Sequence, residues 1–463
     1  MVFSCGVFED LFVEKRERKE PELKLFALAW PIFISNILGI MLGLIDVYVI
    51  SKVSDLATSA IGTACQITGI CSLIFSVVCG ATSILVAQYL GKGDREKATQ
   101  TGMLCILINV FFGVIISASV LLFYKDFLRL LGAEGQLYEM AAAYLGILAW
   151  GIVMDAYQGA IGSIMYSHGE TKISMYLSAA MGILNLVLDM VMVLGLFGIP
   201  RMEVRGAAYA TMIVKMLHCA ILTVIYFTRL ESPKAVKSIL TAQLSDVKRI
   251  FALGIPIVFD SANYSITQLV ITGIVLHQLS DNDLVARTYL MNIASFFQLF
   301  TGAISSAAQL IIGHKIGGGR YEEADRECMR GLKLSVLATG LISLGACFIS
   351  RYLFGIFTNN PEIIRIGMYL MWANVFVEIG RAINVVLVGG LRGAGDVSIP
   401  VLIAVCCMWV IAVGGSWLSV TFTTFGIVGI WIVNGIDEMV RGAIMFGRWK
   451  SKKWMHKGIH RTN

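Results

Sequence analysis

The sequence predicts an all-α polytopic membrane protein: twelve transmembrane helices in two six-helix lobes, related by a pseudo-two-fold axis along the membrane normal. Three observations carry this. Apolar residues make up 57 % of the chain and charged residues 15 %, with a mean hydropathy of +0.76. A soluble domain averages about 45–50 % and 25 %. Apolar runs recur along the whole length, each long enough as a helix to cross about 30 Å of hydrocarbon. Finally, the chain repeats itself. FALAWPIFISN from Phe26 aligns with FALGIPIVFDS from Phe251, ATSILVAQYLGKGDREKA from Ala81 with AAQLIIGHKIGGGRYEEA from Ala307, and HGETKI from His168 with AGDVSI from Ala394. The offset is 225 or 226 throughout. Two apolar halves of like topology are the plan of a secondary transporter, with the substrate path between them.

The expected spans lie near 25–49, 57–90, 98–124, 138–166, 172–199, 205–229, 250–277, 285–316, 332–355, 363–391, 397–423 and 427–446. None alternates in polarity over about 10 residues, as a barrel strand would. Residues 1–24 form a charged N-terminal segment that reads as cytoplasmic rather than as a signal peptide. The N-lobe then covers 25–229, a linker containing Pro233 covers 230–248, the C-lobe covers 249–446, and 447–463 is a basic tail. With the N-terminus inside, 26 of the 37 Lys and Arg residues fall in cytoplasmic segments and eight in external loops, Arg287 among the eight. The positive-inside rule therefore puts both termini in the cytoplasm of a multi-pass cell-membrane protein. The tail reads as a flank resting on anionic membrane lipid, not as a nucleic-acid site.

The two glycine loops, GKGDREKA and GGGRYEEA, match neither GxxxxGK[ST] nor GxGxxG, so they read as tight turns rather than phosphate cradles. The ten cysteines are scattered, none in an external loop, and imply no disulfide framework. The six histidines have no metal-ligand spacing, so neither a metal nor a cofactor is expected. No HExxH or GxSxG motif supports an enzyme. A passive channel would show filter motifs instead of a duplicated lobe, and a lipid-linked saccharide flippase would need more central cations than Lys215 and Arg381.

Ionisable groups inside hydrocarbon are costly and therefore mark function. Asp46 lies about 32 Å along the first span, and Asp189 about 25 Å along the fifth, both in the outer half. Asn185, four residues before Asp189, shares its helix face. Two carboxylates and an amide at similar depth suit a proton or Na⁺ site. Asp155 and Lys215 fall near mid-membrane; Lys215 pairs either with Asp155 or with Asp189. Glu378, Arg381 and Asn384, spaced by three on the tenth span, form either a structural clasp or part of the substrate cavity. Asp260 on the seventh span is a further cavity candidate, and Asp437 with Arg441 reads as a structural i,i+4 pair. Pro31 and Pro256 hold equivalent places early in each repeat and permit helix bending.

AWPIFISN…IDVYVIS, GATSILVAQYLGKGDREKA, the ILNLVLD segment after a GETK loop, RGAAYAT and LRGAGD occur in order and at characteristic spacing. On these the chain resembles the multidrug and toxic compound extrusion (MATE) transporters of prokaryotes, over about residues 20 to 447. The resemblance implies antiport: export of small organic compounds such as drugs, dyes and planar or cationic metabolites against inward H⁺, with Na⁺ the alternative, by a functional monomer. In the branch coupled through the N-lobe, the coupling residues correspond to Asp46, Asp189 and Asn185. A second branch couples through a seventh-span Glu and a tenth-span Asp; here Ser265 and Arg381 stand at those places.

Overall fold

The computed structural model describes residues 23–198 and 200–459, so the N-terminal segment expected over 1–24 lies almost wholly outside the described residues. Twelve long helices follow in order: α1 (Leu25–Ser51), α2 (Asp55–Lys92), α3 (Arg95–Leu130), α4 (Gly135–Ser167), α5 (Thr171–Leu194), α6 (Glu203–Leu230), α7 (Leu244–Gln278), α8 (Asp281–Gly317), α9 (Tyr321–Phe348), α10 (Pro361–Gly393), α11 (Ser398–Phe422) and α12 (Gly426–Lys450). The first eleven are long and apolar enough to cross a membrane. The twelfth is long enough at 25 residues, but Asp437, Glu438 and Arg441 interrupt its apolar run. Those three side chains are buried within the protein, which resolves the conflict between its composition and its place in the series.

The repeat reappears in backbone geometry. Gly93 and Gly319, at the ends of the two glycine loops, have φ of 79° and 73°; Gly169 and Gly395 have 80° and 83°. Only glycine takes this left-handed region without strain, so the loops turn at the same places in each half. Helix packing repeats as well: α3 lies on α4 and α4 on α6, while α9 lies on α10 and α10 on α12. Local sequence sets the helix starts. The Asp94 carboxylate accepts from the Lys97 N–H, and Ser280 with Asp283 forms a capping box at α8, satisfying N–H groups that the first turn leaves open.

The chain divides into two compact units. The first gathers Ile34–Val86 and Asp94–Gly254; the second gathers Leu23–Phe33, Ala87–Gly93 and the chain from Ile255 onward. Helices α1, α2 and α7 thus each pass from one unit to the other. Two of the three crossings fall within two residues of a proline, after Pro31 in α1 and before Pro256 in α7. In the first unit, Val49, Ile61, Phe75, Leu145, Leu148 and Ile152 belong to one core cluster, and Met103, Ile164, Leu222 and Tyr226 to another. The segment between α6 and α7 is more ordered than a plain linker. A 3₁₀ turn, Pro233–Thr241, docks on the start of α3, where the Gln100 amide donates to Ser238 O and Thr241 Oγ1.

In the second unit the tail is folded onto the core. Trp454 is fully buried and stacks on Trp449 at 4.4 Å, and its indole N–H donates to Trp449 O. Trp449 in turn donates to Asp325. Gln88 closes the layer by donating to Gly393 O at 2.7 Å and accepting from the Ile459 N–H at 3.1 Å. Gly317 lies against this same residue: a Cβ added there would collide with the Gln88 carbonyl. Gly317→Ala is therefore expected to lower the thermal unfolding temperature of detergent-solubilised protein, at a cost of about 1–3 kcal/mol from overpacking. Gly447→Ala, where a Cβ meets open space, is expected to leave it unchanged.

Candidate functional site

Asp46 sits near the C-terminal end of α1, half-buried, while Asp189 on α5 is only 2 % exposed. Asn185 joins them. Its Nδ2 donates to Asp189 Oδ2 at 2.7 Å and to Asp46 Oδ1 at 3.3 Å. The first bond is short because residues four apart on a helix face one another; the second crosses from α5 to α1. The two carboxyl groups also lie within hydrogen-bonding contact of each other. Asp189 Oδ1 is buried with no partner among the described residues. All three residues lie in the first unit, with the buried ring of Tyr144 nearby. Two carboxyl groups in contact cannot both remain charged without a proton or a cation between them. The arrangement can therefore take up one monovalent cation.

The Lys215 alternative resolves toward Asp155. Its Nζ donates to Asp155 Oδ2 at 2.7 Å, and Gln158 donates to Lys215 O at 3.1 Å. Gly151 makes room for this lysine, since a Cβ there would lie 3.2 Å from Lys215 Cδ. Tyr157 donates to or accepts from Thr223 at 2.6 Å, and Tyr48 is exposed under Lys52 Nζ.

The second unit holds a larger ionic network than spacing alone suggests. Arg381 donates to Glu378 at 2.6 Å, the expected i,i+3 clasp, and also reaches Glu438 of α12 at 3.5 Å. Arg441 contacts Glu438 at 3.0 Å and Asp437 at 2.6 Å, and Asn384 donates to Glu438 Oε2 at 2.9 Å. Glu438 is the residue that sequence reasoning missed. It ties two pairs, each visible as local spacing, into one network across helices. Asp260 pairs with Arg392 at 2.7 Å; that arginine lies inside α10 rather than in a loop. Arg287, counted above among external-loop charges, is instead a buried residue of α8 that donates to Thr272 and Gln268. Burial within the bundle keeps it out of the external charge balance. Ser265 is exposed and donates to Ser261 O, so the seventh-span coupling position offers no carboxylate.

Apolar helices with paired internal charges and a duplicated half define a multi-pass membrane transporter. The MatE family profile matches residues 31–191 and again 256–418, well over half of the chain and at the spacing of the internal repeat. The chain belongs to the MATE family. An uncharacterized transporter of Bacillus subtilis, YisQ, is 30 % identical over 454 residues, covering 98 % of this chain and 99 % of that protein. A probable multidrug resistance protein NorM of Thermotoga maritima is 25 % identical over 451 residues, covering 97 % and 96 %. A crystal structure of MATE in the bent conformation superposes with a TM-score of 0.85 at 18 % identity, over 94 % of this chain and 96 % of that one. A MOP superfamily transporter from Pyrococcus furiosus, described as having a binding pocket of reverse polarity, gives 0.82 at 19 % identity over 93 % and 95 %. The fold is that of these transporters, a family that moves small substrates and couples to ion gradients.

The Lys215–Asp155 pair is partly screened, with 19 % and 30 % of the two side chains exposed. Lys215→Met leaves a half-buried carboxylate unpaired and is expected to destabilise the protein by about 1–3 kcal/mol. Adding Asp155→Asn removes that charge and is expected to recover most of the loss in thermal unfolding.

Proposed function

We propose that this chain is a secondary active antiporter that exports small organic compounds against inward H⁺, by alternating access of an N-lobe (25–229) and a C-lobe (249–446), with both termini in the cytoplasm. The observation that carries the reading is the Asn185 amide bridging Asp46 and Asp189. The two carboxyls take up the coupling ion from outside, and Asn185 holds them in register. A proton suits this geometry better than Na⁺. It needs no ligand shell, whereas Na⁺ prefers several oxygen donors, and here two carboxyls share one amide. Loading the pair relieves the like-charge repulsion between Asp46 and Asp189, so the loaded and empty forms favour different packings of α1 on α5. Coupling follows only if ion and substrate each bind the two states with different affinity.

Pro31 and Pro256 serve as bends in this reading, because α1 and α7 change unit beside them. Asp155 and Lys215, with Asp260, Glu378, Arg381 and Asn384 on the C-lobe side, shape the cavity or its gates. The members of each set are held by ion pairs or amide contacts rather than left free for a substrate.

The test is efflux of ethidium from proteoliposomes under an imposed pH gradient or an imposed Na⁺ gradient. Wild type is expected to respond to the pH gradient, while Asp46→Asn and Asp189→Asn fall to the protein-free background. Efflux that survives both substitutions, or that follows only the Na⁺ gradient, overturns the proton assignment at this pair.

A further inference from the structure

Away from the ionic networks, the second unit carries an open, apolar groove of about 780 Å³. Helix α10 packs against both α9 and α12 and forms its floor, to which Ile383 contributes. Val336 and Leu337 of α9 line one side, and Met439, Ala443 and Phe446 of α12 the other. Gly442 sets the depth: a Cβ there would lie 2.9 Å from Ile383 Cγ2, so the glycine lets α12 settle onto α10. From Met439 to Phe446 the groove follows about 10 Å of helix, against about 15 Å for one leaflet of hydrocarbon.

The lining is apolar except at one end. Lys333 of α9 belongs to it, and Lys450 of α12 holds its ammonium 5.7 Å from the centroid of the Phe446 ring. Both lysines are exposed, and neither makes an ion pair among the described residues. The carboxylates on the preceding turns of α9 are engaged elsewhere: Asp325 accepts from the Trp449 indole N–H, and Glu327 pairs with Arg330 at 2.9 Å. Asp396 pairs with Arg448 at 2.8 Å. The ninth span is expected to begin at 332 and the twelfth to end at 446. Both ammonium groups therefore stand at one edge of the hydrocarbon, where long basic side chains reach the headgroup layer.

We propose that this groove binds one anionic phospholipid, with an acyl chain along Val336, Leu337, Ile383 and Met439 and the phosphate held between Lys333 and Lys450. The two unpaired cations set it apart from ordinary lipid-facing surface. A zwitterionic headgroup brings its own ammonium to the pair, whereas an anionic one brings a net charge that both lysines complement. A second copy of the chain seated here in the same membrane would bring its own Lys333 and Lys450 to the same depth, setting four cations together. Lipid binding at this site requires neither the coupling ion nor transport.

Native mass spectrometry of the full chain in detergent tests it, with dioleoyl phosphatidylglycerol and dioleoyl phosphatidylcholine as the two probes. Wild type is expected to retain one phosphatidylglycerol in preference to phosphatidylcholine. Retention is expected to weaken about thirtyfold in Lys333→Gln/Lys450→Gln, about fivefold for each lysine lost, and to be preserved in Lys333→Arg/Lys450→Arg. Ala443→Trp, which fills the groove and leaves both cations in place, is expected to weaken it as well. Lys92→Gln/Lys172→Gln, which removes two exposed lysines that do not line the groove, is expected to leave it unchanged. Equal retention of the two lipids, retention that survives Lys333→Gln/Lys450→Gln or Ala443→Trp, loss in Lys92→Gln/Lys172→Gln, displacement by glycerol phosphate alone, or a dimer in place of the lipid overturns the proposal.

Discussion

Everything in this molecule depends on keeping charge out of lipid. A helix may carry ionised side chains across hydrocarbon only if they turn inward and find partners. The described helices obey this rule. Lys215 faces Asp155, Arg392 faces Asp260, and the three charges of α12 are met by Arg381 and by one another. The rule therefore fixes how the helices rotate about their axes. The uncharged side of α12 is free to meet lipid, while the side bearing Asp437, Glu438 and Arg441 is committed to α10, on which it packs.

Much of the architecture was legible because the constraint acts locally. The repeat was visible where glycine is obligatory: Gly93 and Gly319, like Gly169 and Gly395, share a left-handed backbone that few other residues tolerate. The Asp46, Asn185 and Asp189 constellation was readable for a related reason. Helix geometry puts Asn185 beside Asp189, and a common depth along two spans selects Asp46 as the third member.

What stayed hidden is what crosses between elements. Glu378–Arg381 and Asp437–Arg441 each look complete as intrahelical pairs, so nothing in the spacing calls for Glu438 to join them. Arg287 and Arg392 sit at the margins of apolar runs, where hydropathy cannot distinguish a loop cation from one drawn into the bundle. Trp454 is similar. Within the basic stretch RWKSKKWMHKGIHR it reads as part of a flank resting on anionic lipid, yet the indole is buried against Trp449, because the tail folds back onto the second unit. Each miss has one cause: periodicity reports a helix face, and partner identity requires the tertiary structure.

The two charged constellations differ in a way that bears on coupling. At the first, two carboxyls meet across an amide with no fixed cation among their hydrogen-bond and ion-pair partners, so an added monovalent cation changes both the net charge and the contact that joins α1 to α5. At the second, guanidiniums hold one oxygen of each carboxylate, and the Arg381–Glu438 contact fastens α10 to α12. The two constellations are thus built for unlike mechanical roles. Binding can shift a conformational equilibrium only by as much as it distinguishes the two conformations. By that measure the amide-bridged pair is suited to drive a change of packing. The guanidinium-clamped network is suited to hold α10 and α12 together.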